Sequence, residues 1–173
     1  ENKLNYLKNI GCENIIILPL YPQYSSATTG SVCDAVFKSL LKMRWQPSIQ
    51  VVPHYESHPL YIKAISKIIK KKLSKNNWKP DIIIASYHGI PKKYFLSGDP
   101  YHCYCHKTTR LINNELKTSI PMITTFQSRF GPAEWLTPYT EEKLKEFANN
   151  KFKKIMLVCP GFSSDCIETI EEI

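Results

Sequence analysis

Five short runs rich in isoleucine and valine punctuate the chain, at residues 14–21, 49–54, 81–87, 122–127 and 154–160. Their apolar positions are nearly continuous rather than alternating, the pattern of strands covered on both faces. Helical periodicity fills the gaps between them. Residues 32–43 set Val32, Val36, Leu40 and Met43 on one face, and residues 60–73 repeat this with Ile62, Ile65, Ile68, Ile69 and Leu73. A third helix is expected over about 104–116 and a fourth over 141–148, with Thr140 as its N-cap. Strand, helix, strand, repeated along the chain, argues for α/β structure built on parallel strands, doubly wound through right-handed crossovers.

The stretch Asn76-Asn77-Trp78-Lys79-Pro80 is the most linker-like in the chain, and reads either as a plain loop or as a division between two half-domains. No internal repeat, low-complexity tract, G-x-G-x-x-G or Walker-type phosphate loop accompanies the strands, so nucleotide binding has little support. At 43% apolar residues the chain can bury a core, which excludes a disordered protein. The best aliphatic run, Ile15-Ile16-Ile17-Leu18, meets Pro19, far short of the roughly 20 residues a membrane span needs. Glu1 in place of a starting methionine, residues 1–10 patterned like the tail of a helix, and the closing Glu171-Glu172-Ile173 together suggest an internal piece of a longer protein.

The net charge of +8 comes almost wholly from lysine; only Arg44, Arg110 and Arg129 are arginine among 23 basic residues. Nucleic-acid binders combine basic patches with arginine forks or aromatic platforms. Here the lysines sit on polar helix faces (Lys63, Lys67, Lys70, Lys71), so no nucleic-acid partner is expected and loose contact with anionic lipid fits better. The six cysteines match no secreted disulfide scaffold, and a reducing, cytosolic setting is the default.

Open α/β sheets bind ligands beyond the carboxyl ends of their strands. Those ends carry Tyr21-Pro22-Gln23-Tyr24-Ser25, His54-Tyr55, His88-Gly89, Gln127-Ser128-Arg129 and Gly161-Phe162-Ser163-Ser164-Asp165. His88 reads either as a base or metal ligand, since an imidazole does both near neutral pH, or as a loop histidine bonded to carbonyls. Asp165, Glu168 and Glu172 recur at helical spacing, which gives a solvated acidic face or, opposite an imidazole, mixed nitrogen and oxygen ligation. His102-Cys103-Tyr104-Cys105-His106 is a weak metal signal, because the C-x-C pair lacks a matching second pair. Trp135 is either ordinary packing or an aromatic wall for a flat ligand.

Taken together, these phrases resemble the ferrochelatase family. Leu20-Tyr21-Pro22-Gln23-Tyr24-Ser25 with Thr28-Thr29-Gly30-Ser31 is similar to its early loop, and Ser86-Tyr87-His88-Gly89-Ile90-Pro91 with Gly98-Asp99-Pro100-Tyr101 to its central histidine motif. Phe126-Gln127-Ser128-Arg129-Phe130-Gly131-Pro132 with Trp135-Leu136 resembles the next signature, and residues 162–169 the acidic helix near its C-terminal side. The resemblance implies two Rossmann-like parallel-sheet domains with a porphyrin cleft between them. Residues 1–76 would be the C-terminal part of the first domain and 77–173 the N-terminal part of the second. It implies insertion of Fe2+ into protoporphyrin IX, with a coproporphyrin chelatase or a non-catalytic tetrapyrrole- or metal-binding module as the rival readings. His88 would be the base or a metal ligand, Glu168 its partner, and Asp165 and Glu172 a carboxylate path. Tyr21, Tyr24, Ser25, Ser128, Trp135 and Phe162 would hold the macrocycle. No resident cofactor is implied, because the cysteine set of the [2Fe–2S] relatives is not contained here. The expected location is cytoplasmic, with at most peripheral contact at the inner membrane. One departure stands out: many relatives carry histidine where this chain has Cys166.

Overall fold

The computed structural model describes residues 2–150 and 152–173. Glu1, expected at the start of a helical tail, lies outside them; that tail itself is helix α1, Asn2–Asn9. Among the described residues, five parallel strands follow in two sheets: β1 (Asn14–Ile17) beside β2 (Ser48–Val51), and a three-stranded sheet in the order β4 (Met122–Gln127), β3 (Ile82–His88), β5 (Ile155–Val158). The helices between them are α2 (Ser31–Leu40), α3 (Pro59–Lys75), α4 (Lys92–Leu96), α5 (Tyr101–Leu116) and α6 (Thr140–Asn149), with a π-helical turn at Ser26–Gly30, and α7 (Ile167–Ile170) follows β5.

The central strand β3 matches the sequence expectation, since Ile82 to Tyr87 are all buried. Even and odd residues serve opposite layers. Tyr87 faces α5, where its hydroxyl meets Thr109 Oγ1 at 3.0 Å, while Ser86 faces α6 and meets Thr140 Oγ1 at 2.8 Å. Thr140 therefore is not the expected N-cap. It is the first residue of α6, buried, and its hydroxyl is shared between Ser86 and Thr125.

The small sheet departs from the both-faces-buried expectation. Ile15 is buried, but Ile16 is 67% exposed, because α1 and α2 cover only one face, through Leu4, Val36 and Leu40. Helix α3 begins with Pro59 at its first turn, where a missing N–H costs nothing. It buries Ile62, Ser66 and Ile69 at intervals of four and three, while the anticipated Ile68 points to solvent. Although α3 precedes the Asn76–Pro80 stretch in sequence, its buried face joins Ile83, Ile112 and Met156 of the larger layer.

The strand order decides where a ligand can sit. The chain leaves β3 through α5 on one face to reach β4, then returns through α6 on the other face to β5, on the opposite side of β3. The connections part at the carboxyl ends of β3 and β5, the crevice in which open α/β sheets bind ligands.

Candidate active site

His88 is the last residue of β3 and half-buried at this crevice. Its Nδ1 lies 2.6 Å from the carbonyl oxygen of Gly89; since a carbonyl only accepts, Nδ1 carries the proton and Nε2 keeps a free lone pair. The backbone beneath is fixed from two sides. Tyr101 Oη donates to the His88 carbonyl at 2.9 Å, and Gly89 N donates to the Gln127 carbonyl at 2.7 Å. That second bond explains Gly89: a Cβ there would lie 2.9 Å from the Gln127 oxygen and 3.1 Å from Trp135 Cε3.

Trp135 is 4% exposed and its ring centre is 6.5 Å from that of His88, so it forms the floor under the histidine rather than an open wall. Phe130, which sequence reasoning did not single out, is 70% exposed and packs on Trp135 at 4.8 Å between centres. The sequence signal for it was its place between Arg129 and Gly131, in the loop that follows β4. Phe162, half-buried, follows β5 on the other side of the crevice.

The acidic segment is shaped differently from the expected stripe. Helix α7 is a single turn, Ile167–Ile170, with Cys166 at its N-cap, so Asp165 and Glu172 lie outside it. The Cys166 N–H donates to Thr169 Oγ1 at 3.0 Å, an arrangement that holds the turn closed. Within it, Gln127 Nε2 donates to the Glu168 carbonyl at 2.6 Å and ties α7 to β4. The Glu168 carboxyl is held below its usual range by the Cys166 side chain first, then by its own backbone N–H and by the proximity of His88. Glu172 turns elsewhere: its carboxylate accepts from both Ser128 N and Ser128 Oγ, and Ser128 adopts φ 64 to present them. Burial first, then the neighbouring Cys166, Asp165 and Glu172, push the Cys159 thiol up to about 11.

Comparison with known proteins decides the family. The Ferrochelatase family model matches residues 1–173. The chain belongs to the ferrochelatase family. A ferrochelatase of Allorhizobium ampelinum is 49% identical over 174 residues, covering 100% of this chain and 51% of the relative. One of Rhizobium etli is 50% identical over 99% of this chain and 50% of its own length, and one of Francisella tularensis subsp. novicida is 49% identical over 100% and 53%. The chain thus spans about half the length of the curated relatives it matches.

Against that family pattern, the residues expected to hold the macrocycle divide into two groups. Tyr21 is 44% exposed and Tyr24 half-buried at the β1 end, within reach of solvent. Ser25 is fully buried; its hydroxyl donates to Asp99 Oδ2 at 3.0 Å and accepts from Ala27 N at 3.2 Å, so it holds the loop together. Ser128 is engaged by Glu172. The ends of the two sheets meet through Ser163 Oγ, which donates to the Leu20 carbonyl at 2.8 Å, and through the buried Gln23, whose Nε2 donates to Thr108 Oγ1 at 3.0 Å. A cleft of about 490 Å3 opens beside this region, lined by Gln127, Ser128, Arg129, Tyr139 and Glu172 among others, but His88 and Glu168 stand outside it. No helix among the described residues is long and apolar enough to cross a membrane.

Proposed function

We propose that the protein to which this chain belongs inserts Fe2+ into protoporphyrin IX, forming heme and releasing two protons. The observation that carries this reading is His88 at the carboxyl end of β3, with Trp135 beneath it and its register partner Gln127 tied to the turn that bears Glu168. A protein that only stores a flat macrocycle needs neither His88 nor Glu168.

The mechanism follows from acidity and shape. Pyrrole N–H protons of a planar porphyrin are far too weakly acidic for a neutral imidazole, so binding energy from the rest of the macrocycle must first buckle the ring and turn the nitrogen lone pairs outward. His88 then offers Nε2 to a pyrrole proton, with Nδ1 anchored on the Gly89 carbonyl and the tautomer thereby set. Glu168, ionised, balances the imidazolium and gives a hard oxygen to the arriving ferrous ion; an imidazole and a carboxylate suit labile Fe2+. Asp165 and Glu172 flank it as a route for protons or metal, with Glu172 released from Ser128 when it serves. Phe162 presses on the macrocycle together with Tyr21, Tyr24 and the exposed Phe130, while Trp135 stiffens the floor. Cys166 tunes rather than abolishes insertion, through its contact with Glu168; an iron-to-zinc rate ratio unchanged in Cys166→His would refute that tuning.

Residues 1–76 and 77–173 are read as adjoining parts of two domains of the longer protein, with α3 of the first stretch packed into the core of the second. No resident cofactor is proposed. The burial of Cys105 beside the exposed Cys103 supports this reading. The protein works in the cytoplasm with at most peripheral contact at the inner membrane, takes porphyrin and Fe2+ as its partners, and has no nucleic-acid partner.

The test uses the full-length protein under anaerobic conditions, following porphyrin absorbance and fluorescence during Fe2+ insertion, with coproporphyrin in parallel. Wild-type insertion that collapses in His88→Ala, with porphyrin still bound, supports the reading. Binding without insertion in both proteins would favour a carrier module, and faster turnover of coproporphyrin would change the substrate.

A further inference from the structure

The opposite layer holds a second pair of metal-type ligands that this reaction does not use. His102 and His106 lie four residues apart in α5, on one face of the helix. Their ring centres are 4.5 Å apart and their planes tilted by 47°. Phe95 packs on His102 at 5.0 Å, and the buried Phe126 backs both rings at 5.7 and 6.3 Å, so aromatic neighbours hold the pair at the surface. Neither imidazole has a hydrogen-bond or ion-pair partner among the described residues. Phe126 and Tyr87 face α5, whereas His88 by strand alternation faces the α6 side, which keeps this pair apart from the crevice.

We propose that His102 and His106 form a surface chelate for an exchangeable divalent first-row transition-metal ion. The spacing fits that use. An ion about 2.1 Å from each ring nitrogen lies about 3.2 Å from each ring centre, so two such ligands about 90° apart have centres about 4.5 Å apart. Two imidazoles in adjacent turns of a helix are the arrangement that presents both to one ion. Burial keeps both imidazoles below their usual pKa, and His102 lowers His106 further, so both are neutral ligands at neutral pH. No third histidine, cysteine or carboxylate among the described residues joins them. The remaining coordination positions are left to water, which makes the ion exchangeable rather than structural.

The probe is Ni2+ alone, titrated calorimetrically into the full-length protein with His88→Ala as background, so that the crevice histidine contributes nothing and failure here leaves the insertion reading untouched. The expected result is one site whose affinity falls at least about tenfold in His102→Asn and by a similar factor in His106→Asn. Thermal unfolding provides the second readout: Ni2+ raises the melting temperature of the background protein and not of either variant. Equal affinities in all three proteins, or a loss confined to one histidine, would overturn the chelate.

Discussion

Asp99 is the residue on which the position of the Tyr21–Ser31 loop depends, and replacing it by asparagine tests that directly. Its carboxylate is 9% exposed and accepts from Ser25 Oγ at 3.0 Å, Ser26 N at 2.8 Å and Ser26 Oγ at 2.9 Å, all on Oδ2, and from Tyr101 N at 3.0 Å on Oδ1. Asparagine keeps the shape but has an acceptor on one side only. In either orientation an NH2 group faces a backbone N–H, of Ser26 or of Tyr101, and a buried donor without an acceptor costs about 1–3 kcal/mol. The remaining bonds lose their charge assistance, and α5 loses an anion at its N-terminus, worth about 0.3–1 kcal/mol. The sum is about 2–4 kcal/mol, felt locally where the loop meets α5. Hydrogen exchange on the full-length protein reads it: the Ser26 amide should exchange at least about thirtyfold faster in Asp99→Asn, with Thr124 in β4 as an unchanged reference. A Ser26 rate within threefold of wild type would show that the loop is held by something other than this carboxylate.

The buried Glu56 gives a pH dependence of defined sign. Burial works to raise its pKa, but donors from Lys107, His54 and Ser57 together win and hold it below 4.5. A depressed folded value means the stabilisation is present above about pH 4.5 and is lost as pH falls through the folded value, so the melting-temperature advantage of wild type over Glu56→Gln should shrink in acid. An advantage that grows below pH 4.5 would reverse the assignment. Gly89→Ala pushes a methyl group against the Gln127 carbonyl and Trp135, and should cost about 1–3 kcal/mol in urea denaturation and, under the proposed chemistry, cut porphyrin metallation. At pH 8, mass mapping after iodoacetamide should find the exposed Cys103 alkylated well before Cys159, whose thiol at about 11 is roughly 0.1% ionised.

The parts of the fold that the sequence displays are those governed by short-range periodicity. Strand β3 is buried on both faces, so its composition and its environment agree, and residues 122–127 form β4 as expected. The run Ile15-Ile16-Ile17-Leu18 looks identical in composition, yet Ile16 and Leu18 are 67% and 54% exposed, because α1 and α2 lie on the other face. A string of aliphatic residues does not reveal whether a second layer exists. Thr140 shows the same limit for polar residues. Its position before an acidic helical turn is what an N-cap looks like, but two buried hydroxyls, Ser86 and Thr125, compete for its oxygen and win.

The crevice was legible in outline because a parallel sheet collects its strand ends on one edge, and His88, Gln127 and Ser128 lie at such ends. What fixes the geometry there is long-range and leaves no periodic trace. Asp99 reaches back to Ser25 and Ser26, Gln127 holds the Glu168 carbonyl, and Ser128 occupies Glu172. These bonds tie the Glu168 backbone to β4 and the Glu172 carboxylate to Ser128, while the Glu168 carboxyl is held below its usual range by the Cys166 side chain first. Ser128 and Glu172 are therefore best understood as one unit. Ser128→Ala removes the hydroxyl donor while leaving the N–H, and should free part of the Glu172 carboxylate toward the crevice at neutral pH. Under the proposed chemistry that change alters the pH profile of metallation more than porphyrin affinity, whereas a loop that merely grips the macrocycle would show the opposite split.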